Sequence, residues 1–267
     1  TFTPGTVIKF DSLGADLEVN GCLLAQGTSA EPIIFTSIKD DAHGGDTNGD
    51  GTASNPAPGN WTGIALTSES AGSLLEHVWI GYGGYGDVPY AYANLHLFTS
   101  DVTIANSTIA HSPKYGIRVG GVDPDHTLVL TENTFLNNNL WAVYDDTPGT
   151  RTDITLIGNT SSGSTHNGYG LKGTIAGDVL FDSPDDFPFI VWDIYTSLSI
   201  DTDGTLTFTP GTVIKFDGLE ADLEVNGRLV IQGTKEKPVV ITSIKHDDNG
   251  RETNGHSLAP NPCNGDS

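Results

Sequence analysis

Basic residues are scarce in this chain: 12 Lys and Arg stand against 34 Asp and Glu among 267 residues, a formal net charge of −22. A field of that sign repels phosphate backbones and anionic lipid surfaces, which excludes nucleic-acid binding. No apolar run reaches the 18 residues of a membrane-spanning helix, so no membrane insertion is expected. Only two cysteines occur, Cys22 and Cys263. The internal repeat described below places Arg228 at the position equivalent to Cys22, so the repeat encodes no disulfide, and a Cys22–Cys263 bridge stays open. Stripes of i, i+3, i+4, i+7 spacing never persist for three turns, which argues against solenoids built with helices. No G-x-S-x-G, Walker loop, paired C-x-x-C or zinc-protease helix is present, removing the usual nucleophile, nucleotide and zinc chemistries. The chain starts at Thr1 with neither Met nor a basic leader and reads as a processed or excised piece of something longer.

What is present is turn chemistry and repetition. Hydrophobic residues make up 36%, below the usual globular share, while 33 glycines and many Asn, Thr, Ser and Asp favour short strands joined by turns. The segment TFTPGTVIKFDSLGADLEVNGCLLAQGT at Thr1 to Thr28 recurs as TFTPGTVIKFDGLEADLEVNGRLVIQGT at Thr207 to Thr234, an offset of 206. Residues 1–206 therefore form one full module, and 207–267 begin a second copy continuous with the same solenoid. Inside the module a shorter period links IANSTIAHS, LTENTFLNN and LIGNTSS, whose Asn106, Asn133 and Asn159 lie 27 and 26 residues apart. Units of that length, with apolar alternation over four to six residues and then small polar turns, predict an all-β fold: a right-handed parallel β-helix. At about 25 residues per coil the chain would make about ten coils, a rod roughly 50 Å long. Identical amides stacked at strand spacing can donate and accept along the axis, so Asn106, Asn133 and Asn159 are expected to form a ladder; the alternative is three ordinary turn residues.

The segments LTFTPGTVIKF, DLEVNGRLVIQGT, PVVITSIK, DDAHGGDTNGDG and PGNWTGIAL resemble a module of large bacterial and archaeal secreted or surface proteins. Its folding units are similar to the parallel β-helix repeats of the pectate-lyase-like superfamily. The resemblance implies extracellular or cell-surface residence and contact with carbohydrate, although many members of that superfamily are non-catalytic stalks or adhesins.

The sharpest motif is Asp46-Thr47-Asn48-Gly49-Asp50-Gly51-Thr52, which matches the D-x-N-x-D-G opening of a calcium loop. Side-chain oxygens of Asp46, Asn48 and Asp50 and the Thr52 carbonyl would be ligands, with Asp40 or Asp41 arriving from the preceding strand end. Position twelve of the loop is Ala57 rather than Glu, so a bidentate ligand must come from elsewhere. The competing reading is an Asx-rich surface loop without an ion. The second copy places Glu252, Asn254 and His256 at the three side-chain positions and is expected to bind weakly or not at all.

For catalysis, Arg118, Lys114 and Lys172 are the basic residues of the middle coils, with Asp145, Asp146 and Asp153 near them in sequence. Two carboxyl groups for glycoside hydrolysis could come from neighbouring coils, Asp123 or Asp125 with Asp145 and Asp146. Neighbours on one strand point to opposite faces, so Asp145 and Asp146 alone do not make a pair. Tyr82, Tyr85, Tyr90 and Tyr92 could stack on sugars or pack against the solenoid. His77, His96 and His111 lack metal spacing and read as structural. These features point to a calcium-stabilised structural or adhesive module meeting a polysaccharide or cell-surface partner. The other reading is an acidic-polysaccharide lyase or glycoside hydrolase acting along a groove. Oligomeric state is not encoded in any of these motifs.

Overall fold

The computed structural model describes residues 1–86, 92–98, 101–120, 127–146, 150–151, 153–182, 187–192, 198–218 and 221–246. Among them every regular element is a strand of two to six residues, and every strand pairs in parallel with strands one coil away. The chain is a parallel β-solenoid of about eight coils rather than ten. The difference lies in loop length: Leu17 to Ile241 is 224 residues in eight register steps, or 28 per coil, because the first step, Leu17 to Ile64, takes 47. The 26-residue spacing of the middle coils is real, but a long insertion after residue 37 lengthens the average.

Four sheets make the walls. Sheet A has eight strands from Leu24–Gln26 to Arg228–Ile231, and sheet C has nine from Asp16–Val19 to Val240–Ser243. Sheet B, six strands from Val7–Phe10 to Thr160–Ser162, closes the coil in the first part. Sheet D, four strands from Thr150–Arg151 to Leu223–Val225, replaces it in the last part. Alternation along each strand sends every second side chain inward. In sheet A these stack as Ala25, Leu75, Ile104, Leu130, Leu156, Phe181 and Phe208, all fully buried, ending at Ile231. Burying one such side chain stabilises by about 1.5–3 kcal/mol, which is why a sequence only 36% hydrophobic sustains a core: each residue is covered from above and below.

The 206-residue repeat closes in register on sheet A. Leu24 reaches Val230, its equivalent, after seven steps through Leu74, Thr103, Val129, Thr155, Leu180 and Thr207. The strand Val7–Phe10 lies on sheet B, whereas its copy Val213–Asp217 lies on sheet C, stacked on Phe189–Trp192. Both copies trace the same three-walled coil from sheet A back to sheet A, but the first two walls have each moved one sheet along: Asp16–Val19 lies on sheet C and its copy Leu223–Val225 on sheet D.

The corners of sheet B explain the sequence period. His77, Asn106, Glu132 and Gly158 before its strands, and Tyr82, His111, Asn137 and Gly163 after them, all have φ between 48 and 75°. Such left-handed residues turn the chain within one position. From the Asn106 corner on, the residue after each leading corner, Ser107, Asn133 and Asn159, carries the ladder. Asn133 donates through Nδ2 to Ile104 O (2.8 Å) and Asn159 Oδ1 (3.0 Å), and its Oδ1 accepts the Ser107 N–H (3.0 Å). Ser107, not Asn106, is the first rung, because Thr108, Thr134 and Thr160 are in register. Asn106 sits one residue earlier, exposed, at the corner itself. A second ladder runs along the opposite corner, where buried Asn138 accepts the Ser112 N–H (3.1 Å) and the Asn94 amide (3.4 Å).

Candidate functional sites on the loop after residue 37 and on the outer face of sheet C

The insertion between Ile33–Ser37 and Gly63–Leu66 folds back over the outside of sheet B. Lys9 Nζ donates to Asp40 O (2.8 Å) and Gly45 O (2.6 Å), clamping both sides of the loop base. The Asp40 carboxylate, 2% exposed, accepts from Thr36 Oγ1 (2.6 Å) and pairs with His43 Nδ1 (2.7 Å). His43 in turn packs on the Trp79 ring at 4.5 Å. Asp40 is thereby engaged in fixing the loop to the solenoid, and its carboxylate stands outside the acidic cluster formed by its neighbour.

That cluster joins Asp41, at the anchored base, with Asp46 and Asp50 at the tip: one carboxylate oxygen of each lies within 4.8 Å of the others. Asp46 organises the tip, its Oδ1 accepting the Gly49 (2.8 Å) and Asp50 (3.2 Å) N–H groups and its Oδ2 that of Gly51 (2.9 Å). Asn48 accepts the Asp50 N–H (3.3 Å) and donates to Asp50 Oδ2 (2.8 Å). The Ser54 hydroxyl donates to the same Asp50 oxygen (2.5 Å) and is the chief cause holding that carboxyl below its usual pKa. Thr52 follows in the same exposed turn. Asp41 Oδ1 is buried and meets no hydrogen-bond donor among the described residues. Three carboxylates at this separation repel one another, and a cation placed among them would relieve that repulsion. An all-oxygen donor set of this charge fits a hard divalent cation.

The outer face of sheet C gathers a different chemistry. Arg118 is held by Asp146 through Nε to Oδ1 (3.3 Å) and Nη2 to Oδ2 (2.9 Å), with both side chains partly exposed. Asp145 points the other way, fully buried, and accepts from the Tyr169 hydroxyl (2.8 Å). The three proposed catalytic residues are therefore split between two faces, as the strand alternation requires. His96, in register with Arg118, is 2% exposed; neither ring nitrogen has a partner among the described residues, and the ring stacks on Phe98 at 3.8 Å. Burial, assisted by the Arg118 charge, pushes its pKa down to about 3, so it is a neutral imidazole.

Beside this pair stands a cluster of rings that no sequence motif had singled out. Tyr115, Trp141 and His166 share one register position; Tyr115 stacks on Tyr144 (4.9 Å) and Trp141 on His166 (3.9 Å). Trp192 meets both Trp141 and Tyr144 edge-on. Gly170 makes room for the indole, since a Cβ there would lie 2.3 Å from a Trp141 ring carbon. Lys172 Nζ lies 5.2 Å from the Trp192 ring centroid, and Lys114 Nζ 3.4 Å from that of Tyr92. The signal in the sequence was Trp-Ala-Val-Tyr-Asp at 141–145, a strand with bulky residues at both parities and therefore packed on both faces.

The tyrosines do not form one platform. Tyr82 stacks on His111 (4.8 Å) beside Trp79, its hydroxyl pKa raised by burial and by Asp40; Tyr85 is 45% exposed; Tyr92 lies under Lys114. Tyr90, Asp123, Asp125 and Cys263, and the second-copy positions Glu252, Asn254 and His256, lie outside the described residues; Cys22 is exposed and has no disulfide partner among the described residues. No family model, curated protein or solved structure matches the chain.

Proposed function

We propose that this chain is an extracellular structural or adhesive rod segment whose long loop is rigidified by calcium bound among Asp41, Asp46 and Asp50, with a polysaccharide or cell-surface component as its partner. The observation that carries this reading is that Asp41, Asp46 and Asp50 each bring a carboxylate oxygen within 4.8 Å of the others, while Asp41 Oδ1 is buried with no hydrogen-bond partner among the described residues. One ligand comes from the anchored loop base and two from the tip, so a bound cation would tie the two parts together. Asn48 and Thr52 would complete the shell, and Asp40 would act indirectly by fixing Asp41. Calcium binding only the folded state would stabilise it by about 2.7 kcal/mol at a hundredfold excess over Kd. The test is thermal unfolding of EDTA-treated protein with and without calcium, repeated for Asp41→Asn and Asp46→Asn. A calcium-dependent rise in Tm in the parent that disappears in both variants is expected; equal melting of the parent with and without calcium refutes the cation role.

A second reading, a lyase or hydrolase for acidic polysaccharides of the pectate-lyase-like kind, is favoured by one observation. Lys114, Arg118 and Lys172 border the ring-lined face of sheet C in a chain with only 12 basic residues. Against it, Arg118 is already paired and Asp145 is enclosed in the core. Incubation with pectate, alginate and related glycans, read as new unsaturated or reducing ends, separates the two readings. Product formation abolished by Arg118→Ala would favour the enzyme.

A further inference from the structure

Three Asn-x-Ser/Thr sequons occur in the chain, Asn60-Trp61-Thr62, Asn106-Ser107-Thr108 and Asn159-Thr160-Ser161, and the solenoid holds each differently. Such a tripeptide is the acceptor of N-linked glycans, in which the asparagine amide nitrogen is joined to C1 of a sugar. A glycan is bulky and polar, so in a folded protein its asparagine must reach solvent. Asn159 does not. It is fully buried in the ladder, its Nδ2 donating to Leu130 O (2.8 Å) and its Oδ1 accepting from Asn133 Nδ2 (3.0 Å). Asn60 is half-buried where the long loop rejoins the solenoid, its Oδ1 accepting the Ala57 N–H (2.8 Å) and the Ser37 hydroxyl (3.3 Å). The rest of that sequon is committed too: Thr62 Oγ1 donates to Leu13 O (3.0 Å), and Trp61 is fully buried, stacked on Phe10.

Asn106 is the opposite case. It is exposed at its corner, and neither its amide nor the Thr108 hydroxyl makes a hydrogen bond among the described residues. The corner asks for no particular side chain, since His77, Glu132 and Gly158 fill it on neighbouring coils. Asn106 is therefore free of the structural duty that holds Asn133 and Asn159. The neighbouring Glu132 side chain is turned away from it: that carboxylate lies over Gly158, where an added Cβ would collide with it. The corner joins Val102–Ala105 of sheet A to Thr108–Ala110 of sheet B, so a glycan leaving it does not start on the ring-lined face of sheet C.

We propose that Asn106 is an N-glycan attachment site of the folded rod, an inference that rests on the rod's extracellular placement. The co-reactant is a lipid-diphosphate-linked oligosaccharide. Asn106 Nδ2 attacks C1 of its first sugar and gives up one proton; the C1–O bond to the diphosphate breaks, and the lipid diphosphate leaves with the electron pair. The transfer costs the solenoid no hydrogen bond, because the Asn106 amide holds none.

The test is to export the chain through a eukaryotic secretory pathway behind a cleavable leader and to map the secreted protein by peptide mass spectrometry. Asn106 is expected to carry a glycan and Asn159 to be bare, with an intact mass above 28.1 kDa that falls back on treatment with peptide N-glycosidase. Asn106→Gly removes the acceptor nitrogen and Thr108→Val removes only the sequon hydroxyl, and each should abolish that glycan. The inference is overturned by secreted protein whose Asn106 is bare, by a glycan on Asn159 or Asn60 in its place, or by a glycan that persists on Asn106 in Thr108→Val. Export is imposed in this experiment, so a bare Asn106 counts against the site alone; the extracellular reading is tested apart from it, by fractionating the cells that make the protein.

Discussion

Replacing Asn133 by alanine separates the two positions that the sequence period presents as equivalents. Asn133 is fully buried; its amide donates to Ile104 O and its oxygen accepts the Ser107 N–H. Alanine strands both backbone groups away from water, and each orphaned buried group costs about 1–3 kcal/mol, so the variant should lose about 2–6 kcal/mol. Asn106 is exposed at φ 50°, and its equivalents in the neighbouring corners are His77, Glu132 and Gly158. Asn106→Ala should cost only about 1–2 kcal/mol, the left-handed penalty of a residue with a Cβ, and Asn106→Gly roughly nothing. Urea unfolding followed by far-UV circular dichroism measures both, provided the m value is unchanged. A loss below about 1 kcal/mol for Asn133→Ala, or equal losses at the two positions, would refute the ladder argument.

Three further outcomes are expected. Lys9→Met should lower stability by about 2–3 kcal/mol through two lost charge-assisted bonds to the loop base, whereas Asp46→Asn, which keeps one acceptor oxygen and loses the one that takes the Gly51 N–H, should lower calcium-free stability less than Lys9→Met and remove the calcium-induced shift in Tm. Gly170→Ala should cost about 1–3 kcal/mol and alter the near-ultraviolet circular dichroism of the tryptophans, because the new Cβ overlaps the Trp141 ring. His96 binds a proton more readily unfolded than folded, its folded pKa being pushed down to about 3 by burial and Arg118, so its contribution to stability is complete above about pH 6.5 and is lost as pH falls toward 3. That loss approaches about 1.4 kcal/mol per pH unit inside the window; His96→Leu should flatten the stability curve there, and a His96 ring that titrates near pH 6 by NMR would contradict the burial argument.

The fold was legible because its signal is redundant: a 206-residue repeat, a 26-residue sub-period and strict strand alternation all demand stacked coils. Legibility stopped where one residue of offset mattered. The 27-residue gap between Asn106 and Asn133, against 26 to Asn159, was the clue that Asn106 stands beside the ladder rather than on it. The second ladder through Asn94 and Asn138 was hidden because Asn138 lies in a run of three asparagines and Asn94 is isolated, so neither stands out by spacing. In the acidic loop the D-x-N-x-D-G motif singled out Asp46, Asn48 and Asp50, but only the fold could distinguish adjacent Asp40 and Asp41. One carboxylate is bound by Thr36 and His43, and the other joins the cluster. The ring-lined face of sheet C drew residues from Tyr115 to Trp192, brought together by coil stacking that no local window contains.

Comparison of the two copies separates what the fold requires from what was free to change. Lys9 and Lys215 make the same bond, to the carbonyls of Asp40 and of its equivalent His246 (2.9 Å in the second case). Thr36 and Thr242 both engage the side chain at that position, a carboxylate once and an imidazole the other time (2.8 Å to Nδ1). A backbone acceptor is indifferent to the side chain it belongs to, and a threonine hydroxyl can donate to a carboxylate and either donate to or accept from an imidazole nitrogen, so loop anchoring survives the exchange of Asp for His. Cation binding depends on carboxylate charge and cannot survive the same exchange, and at the tip Asp50 is replaced by His256. The anchor therefore belongs to the solenoid and the Asp46–Asn48–Asp50 tip to the particular coil that carries it, so the proposed cation role is confined to the first copy while the architecture repeats in both.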